Sequence, residues 1–305
     1  MRIKVFAPAK VNLTLHVTGQ RQDGYHLLDS LIAFAPIGDT LTMARSAEMQ
    51  LEVAGSEAQG VPEDARNLVW RAVAAHQAQC GATGGFEIAL EKHLPAASGI
   101  GGGSSDAAAG VRGAMALGGA EEVGFSGGKL DVRTKGGLVQ LDLLALGADV
   151  PMCYRPAPIR VQGIGEAITP VSLPPLPAVL VNPRVEVSTP AVFRALASKT
   201  NPPSPDVLPN WADAGALIDW LATQRNDLEA PAVALAPVIG EVLGALRGQA
   251  AFARMSGSGA TCFGLFHTEA EAESAATSLA RAHPEWWVRA GVLGDQTDLA
   301  APQSI

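Results

Sequence analysis

Hydrophobic and polar positions alternate first and most clearly near the start of the chain. Val11, Leu13, Leu15 and Val17 fall on one face of an extended segment, and Lys10, Asn12, Thr14 and His16 on the other. That period of two predicts a strand with a half-polar face. Gln20–Gly24 reads as a turn, with Tyr25 and His26 directly after it. Further strands are expected at Leu31–Phe34, Thr40–Met43, Met49–Val53 and Phe86–Leu90, and a helix over Asn67–Gln79. A glycine-dense stretch follows, with Ser104, Ser105 and Asp106 offering N-cap chemistry to a helix at Ala107–Leu117. Gly119–Gly137 looks irregular, and Leu138–Leu146 reads as a helix stopped by Gly147.

Proline-punctuated strands begin near 155–160, which places a domain boundary there and divides the chain into 1–157 and 158–305. Beyond it a strand is expected at Ala178–Val181, a short helix at Pro190–Ala197, a loop at Thr200–Asn210 and helix over most of Pro231–Leu246. Ala251–Met255, the turn Ser256–Gly259 and Thr261–Phe266 form strand, turn, strand. Helix Glu269–Ala282, capped by Thr268, and strand Trp286–Val292 complete a β-β-α-β run that fits half of a ferredoxin-like sandwich. The last residues read as a loose tail.

Composition narrows the class. The 305 residues are 48% apolar and 17% charged, ample for a core and unlike a disordered chain. A formal net charge of −8 argues against nucleic acid or a membrane surface as partner, but a local site can still hold a small anion. No apolar h-region follows Met1, so no signal peptide is expected. The uncharged stretch Ala167–Pro183 is interrupted by five prolines and cannot be a membrane helix. Three dispersed cysteines, Cys80, Cys153 and Cys262, form neither a disulfide framework nor a zinc motif, which suits a reducing cytoplasm.

Pro95, Ala96, Ala97, Ser98, Gly99, Ile100, Gly101, Gly102, Gly103, Ser104 and Ser105 carry the strongest chemical signal. Glycines let successive N–H groups converge, and a helix start adds partial positive charge, so the segment suits phosphate. It is neither a Walker A loop, lacking Gly-Lys-Ser/Thr, nor a dinucleotide fingerprint. The Ser256–Gly259 turn could be a plain hairpin or a second backbone surface against a ligand. Taken singly, Lys10 reads as a solvated strand lysine, Asp149 as a turn cap, and Tyr25 with His26 as turn residues. The histidines show no metal spacing.

In order, Pro8-Ala-Lys10-Val-Asn12-Leu, Asp23-Gly-Tyr25-His26, Pro95–Ser105, Leu146-Gly-Ala-Asp149-Val-Pro and Ser256-Gly-Ser-Gly-Ala260 resemble the GHMP kinases. The pairing of the first two motifs resembles the members acting on a cytidine diphospho-methylerythritol. The resemblance implies an α+β, two-domain fold: an N-terminal ribosomal-protein-S5-like, ATP-binding domain and a C-terminal ferredoxin-like domain. It implies ATP-dependent phosphorylation of the tertiary 2-hydroxyl of that small molecule, a step toward isoprenoid precursors. The 95–105 loop would wrap the ATP phosphates. Asp149 would take the hydroxyl proton, and Lys10 would keep it ionised and stabilise developing charge. Asn12 would place the substrate, Tyr25 and His26 would hold the cytosine, and Thr189 with Phe193 would close over it. Mg²⁺ is implied with ATP, but no protein ligand for it stands out. Oligomeric state, monomer or homodimer, is left open. A kinase for mevalonate or homoserine fits Asp23-Gly-Tyr25-His26 less well. A silent nucleotide binder would not need both Lys10 and Asp149.

Overall fold

The computed structural model describes residues 1–81 and 83–305. In chain order the first half contains β1 (Arg2–Asn12), β2 (His16–Gln20), β3 (His26–Ser46), β4 (Gln50–Ala54), α1 (Leu68–Cys80), β5 (Gly85–Glu91) and α2 (Gly102–Gly118). These are followed by β6 (Glu121–Ser126), β7 (Lys129–Thr134), β8 (Gly137–Asp142), α3 (Val150–Tyr154), β9 (Ile159–Gly163) and β10 (Ala167–Pro170). The second half runs β11 (Leu176–Asn182), α4 (Thr189–Arg194), α5 (Ala214–Ala222), α6 (Glu229–Leu235), α7 (Val238–Arg247), β12 (Phe252–Met255) and β13 (Cys262–Leu265). It ends with α8 (Glu269–Ala282), β14 (Trp287–Leu293), α9 (Thr297–Ala300) and β15 (Gln303–Ser304).

One long strand organises the first sheet. β3 pairs antiparallel with β1, β2, β5 and β9 along its 21 residues. The sequence suggests two strands here, because Pro36 and Gly38 interrupt the pattern. The chain instead stays extended through a register shift opposite Pro8 and Lys10. Gly38 makes that possible: a Cβ there would lie 2.2 Å from the Ala7 carbonyl oxygen. α1 and α2 cover this sheet. Val69 and Val73 of α1 and Ala109 and Ala114 of α2 pack on Val5, Leu41 and Met43.

β11 to β14 form a second, wholly antiparallel sheet in the order β12-β13-β11-β14. With its helices this is the β-α-β-β-α-β arrangement of a ferredoxin-like sandwich. One face packs against α7 and α8 through Val242, Leu246, Ala275 and Leu279. Its other face shares a core with the first sheet, where Val11, Leu13 and Ala33 meet Leu180, Phe263 and Trp287. The cleft between the halves therefore has a rigid floor. α8 starts at Thr268 with a complete capping box to Glu271, as Thr-x-x-Glu spacing predicts.

Four local expectations change. Gly119–Gly137 and the helix at Leu138–Leu146 give way to β6–β8, a three-stranded antiparallel meander. The Gly127-Gly128 turn, with φ of 55° and 76°, supplies the left-handed backbone a tight hairpin needs. The segment 10–17 is not one strand with a solvated face. β1 ends at Asn12, and Lys10, Asn12, Thr14 and His16 are all buried. α5 is an additional helix, started by the Asp213 side chain accepting from Ala216 N. The tail is held: β15 pairs with Ile3 and Lys4, and the Ala300 carbonyl accepts from Arg112. Arg112 is half-buried and has no carboxylate partner. It donates also to the carbonyls of Phe6, Cys153 and Tyr154, and burial lowers its pKa to about 10. The division expected at 157/158 falls just before β9 and β10, and both strands join the first sheet; the second begins with β11.

Candidate active site

A cavity of about 530 Å³ opens between the two halves. Its centre is the start of α2. Sequence suggests Ser104–Asp106 as the cap of a helix starting at Ala107, but the helix begins five residues earlier, at Gly102. Its N-cap, Gly101, is left-handed at φ 67° and has no side chain to offer the first turn. The first N–H groups of a helix have no internal partner, and these point their partial positive charge at the cavity lined by Gly101, Gly102, Gly103 and Ser104. That geometry suits an anion.

A second glycine turn closes on the first. Ser256 Oγ donates to the Gly99 carbonyl at 3.1 Å, and Thr261 N donates to the Ser98 carbonyl at 3.0 Å. The backbones lie so close that a Cβ on Gly99 would sit 2.5 Å from the Ser256 carbonyl oxygen. The Ser256–Gly259 turn is thus a wall of the cavity, which Gly257 and Ser258 line.

Lys10 reaches this point from the end of β1 and Asp149 from the turn before α3. Lys10 Nζ lies 3.3 Å from Asp149 Oδ2, with the lysine buried and the carboxylate 38% exposed. Asp149 occupies the N-cap position of α3 but makes no capping bond. Its carboxylate faces Lys10 and the cavity rather than its own helix. Lys10 is fixed from the other side, donating to Asn12 Oδ1 at 2.5 Å. Asn12 Nδ2 in turn donates to Ser30 Oγ at 2.7 Å, and Ser30 Oγ to the Thr14 carbonyl. Both ends of the Asn12 amide are engaged, so this residue orients Lys10 besides lining the cavity.

The other expected residues divide. Pro95, Ala96, Ala97, Ser98 and Gly99 line the cavity, as do Thr189 and Phe193 from α4. Thr189 Oγ1 lies 2.7 Å from Ser258 Oγ, which joins α4 to the second glycine turn. The Ile100 and Ser105 side chains turn inward: Ile100 is fully buried in the shared core, and Ser105 Oγ donates to the Pro8 carbonyl. Ser105 N donates to the Gly101 carbonyl and the Ile100 carbonyl accepts from Lys10 N, so both residues support the cradle and do not line it. Tyr25 is 60% exposed and does not line the cavity. His26 stacks on Phe193 with ring centroids 4.5 Å apart, extending the cavity's aromatic edge outward. Partial burial, aided by Lys199, lowers its pKa and favours the neutral ring.

Sequence reasoning missed a second polar cluster. Lys92, at the end of β5, donates to Asp106 Oδ2 at 2.7 Å and to Asp39 Oδ2. Burial works against the Lys92 charge, yet the two aspartates outweigh it and raise its pKa. Lys92 and Asp106 line the cavity, and so do Val61, Pro62 and Leu68 at its apolar end. Nothing local in the sequence around Lys92 foretells its burial. Among the described residues no group of three His, Cys, Asp or Glu side chains is placed to hold a metal ion.

A helix start suited to an anion, beside a lysine–carboxylate pair, has the makings of a site for transferring a phosphoryl group to an alcohol. The comparisons agree. Residues 67–154 match the family model "GHMP kinases N terminal domain", and residues 207–285 match "GHMP kinases C terminal". The chain belongs to the GHMP kinase family. It is 55% identical over 291 residues, 94% of each chain, to the 4-diphosphocytidyl-2-C-methyl-D-erythritol kinase of Dinoroseobacter shibae. It is 50% identical to that of Roseobacter denitrificans over 99% of this chain and 97% of the relative. A crystal structure of a 4-(cytidine 5'-diphospho)-2C-methyl-D-erythritol kinase superposes with a TM-score of 0.72 at 34% identity, over 95% of this chain and 99% of that one. The two-domain GHMP kinase fold expected from the motifs is the fold observed.

Proposed function

We propose that this GHMP kinase uses ATP to phosphorylate the 2-hydroxyl of 4-diphosphocytidyl-2-C-methyl-D-erythritol, in the non-mevalonate route to isoprenoid precursors. The observation that carries the chemistry is the Lys10–Asp149 pair at 3.3 Å beside the uncapped start of α2. The substrate assignment rests on the kinase relatives at 50–55% identity.

The triphosphate lies on the N–H groups of Gly102, Gly103 and Ser104 and along the Pro95–Gly99 backbone. The apolar end at Val61, Pro62 and Leu68 receives the base of ATP. The alcohol approaches from the α4 side, between Thr189, Phe193 and the pair, with its cytosine toward His26 and Tyr25. Asp149 accepts the hydroxyl proton as the bond to phosphorus forms. Lys10 offsets charge on the transferring group. Asn12 and Ser30 hold the ammonium in place, so little reorganisation is needed at the moment of transfer. The oxygen donors beside the cradle, Ser104 and Asp149, suit Mg²⁺ that is carried mainly by phosphate and water, and the ion would neutralise phosphate charge. The protein's partner is this small molecule, and no helix is long and apolar enough to cross a membrane among the described residues. We place the reaction in the cytoplasm.

A coupled ADP-release assay tests this with 4-diphosphocytidyl-2-C-methyl-D-erythritol, other cytidine diphospho-alcohols, mevalonate and homoserine, with and without Mg²⁺. Turnover confined to the first compound supports the reading. Faster turnover of mevalonate or homoserine overturns it.

A further inference from the structure

The acceptor proposed above carries a diphosphate between its cytosine and its alcohol, and that charge has to meet something. Among the described residues three cations line the cavity, and each already faces a carboxylate. Lys10 faces Asp149, Lys92 faces Asp39 and Asp106, and Arg66 faces Asp64 at the apolar end. The uncapped start of α2 serves the triphosphate of ATP. No unpaired cation lines the α4 side, between the reacting pair and His26, where the acceptor's diphosphate falls.

Lys199 stands just outside that wall, in the segment between α4 and α5. Its Nζ donates to Gln20 Oε1 at 3.2 Å. Gln20 Nε2 donates to the Gly24 carbonyl at 3.0 Å, which fixes the amide with Oε1 toward the lysine. Gln20 pairs directly opposite His26 in the β2–β3 ladder, so the two side chains share one face of the sheet. His26 in turn stacks on Phe193 of the cavity wall. Contacts thus lead outward from the wall through Phe193, His26 and Gln20 to Lys199. Its charge is felt at His26, where it adds to burial in lowering the pKa of the ring. Lys199 has no carboxylate partner among the described residues. Two neighbouring cations do: Arg21 pairs with Asp23, and Arg225 with Asp227.

The segment carrying Lys199 is pegged to the strands that carry Gln20 and His26. Asn201 N donates to the Val17 carbonyl of β2 at 3.0 Å, and Asn201 Nδ2 to Asp227 Oδ2 at 3.0 Å. Ser204 N donates to Asp29 Oδ2 of β3 at 3.0 Å. Asp29 is gripped by both arms of Arg160, at 2.8 and 2.7 Å, and both residues are buried. Arg160 Nη1 also donates to the carbonyls of Pro205 and Asp206. The chain therefore fixes this lysine at the rim on both its strand side and its loop side.

We propose that Lys199 is the counter-ion for the diphosphate of the acceptor, and so a specificity-determining residue of this kinase. One of its three N–H donors is held by Gln20, which leaves the others for phosphate oxygens. The inference deepens the reading in which the cytosine lies against His26, and it rests on that reading. It separates two contributions to recognition: the His26–Phe193 edge holds the base, and Lys199 selects for the charge attached to it.

The test compares two ligands, cytidine and CDP-glycerol, on the full chain without ATP. Calorimetry measures both, with cytidine read by displacement. Wild type should bind CDP-glycerol more tightly than cytidine. A partly exposed charge pair contributes modestly, so Lys199→Ala should weaken CDP-glycerol about three- to tenfold and leave cytidine within about twofold. Lys199→Glu should weaken CDP-glycerol further, and Lys199→Arg should restore most of the loss. Added salt should erode CDP-glycerol binding more in wild type than in Lys199→Ala. In turnover, KM for the acceptor should rise in Lys199→Ala by a similar factor, with KM for ATP within about twofold. Equal losses for both ligands would make Lys199 a support for the rim and overturn the proposal. So would no loss for either. Equal affinity of wild type for the two ligands would mean that the diphosphate meets no cation, which overturns this inference and leaves the cytosine reading standing. Wild type that binds neither ligand would refute the cytosine reading, and this inference with it.

Discussion

Two lysines grip the start of α2, and they do so differently. Lys10 touches it at Gly101 and pairs with Asp149 at 3.3 Å, with the carboxylate part-exposed. Lys92 touches it at Gly102 and is enclosed by Asp39 and Asp106, whose side chains are 0% and 3% exposed. Residue types alone do not separate the two clusters. The separation comes from which carboxylates are already saturated. Asp149 keeps oxygen surface toward the cavity and can accept a proton. Asp39 has both carboxylate oxygens engaged by the fold. Asp106 lies between these cases. A reacting group has to be left incompletely satisfied, and a structural one does not.

The comparison breaks most sharply at Asp149. Asp149→Asn keeps the shape but removes the proton acceptor, and kcat should fall ~10²–10⁴-fold. ATP affinity should stay within a few-fold. Lys10→Ala should also lose most activity, and the double variant should be little worse than either single one, because the two act as one unit. Steady-state kinetics with binding calorimetry checks this. Losses that multiply independently would remove Lys10 from the pair.

Asp39→Ala should do the reverse. It strips partners from a buried ammonium and from two backbone N–H groups. Removing one member of a buried ion pair costs about 3–5 kcal/mol of stability. Urea unfolding should show that loss, while the fraction that stays folded keeps its KM for the acceptor alcohol. A stable Asp39→Ala protein with impaired transfer would mean that this cluster, too, belongs to the chemistry.

Much of this site is legible in the amino-acid sequence. Lys10, Asp149 and the 95–105 loop stand out by motif, and they converge on one cavity. Local signals also predict α8, since Thr268 and Glu271 carry their information within three residues. Partnership across long separations is not legible. Asp106 reads as an N-cap and Asp39 and Lys92 carry no local signal, and only the pairing of β3 with β5 beneath α2 joins them. Tyr25 and His26 stand together in sequence, yet one is exposed and the other stacks on Phe193. The β6–β8 meander is hidden because Gly127-Gly128 and Gly136-Gly137 make the segment look irregular but act as hairpin turns.

A smaller effect should separate the neighbouring glycines. Gly101 has φ 67°, and a Cβ there would lie 2.7 Å from Lys10 Cγ. Gly101→Ala should cost about 1–3 kcal/mol through backbone strain and displace Lys10, lowering kcat as well as stability. Gly102 has an ordinary φ and 3.5 Å of room, so Gly102→Ala should change stability by under about 1 kcal/mol. Thermal unfolding together with kcat measures both. Equal losses would mean that the lysines do not define separate sides of the helix start.

The smallest expected change is in the resting stability of Asp106→Asn, and its sign is the informative part. A carboxyl raised in the folded protein stays protonated there while the unfolded chain ionises near pH ~3.9. Between that pH and the folded value, the native state holds more protons than the unfolded one. Stability contributed by this group is complete below pH ~3.9 and declines as pH rises through the window. Asparagine has no proton to lose, so the variant escapes the decline. Asp106→Asn should match wild type near pH ~4.5 and be at least as stable near pH ~7.5, the opposite of Asp39→Ala at either pH. Urea midpoints at the two pH values supply the comparison. A variant that loses stability against wild type as pH rises would show Asp106 ionised and paired like Asp39, and the two aspartates of the Lys92 cluster would then be equivalent.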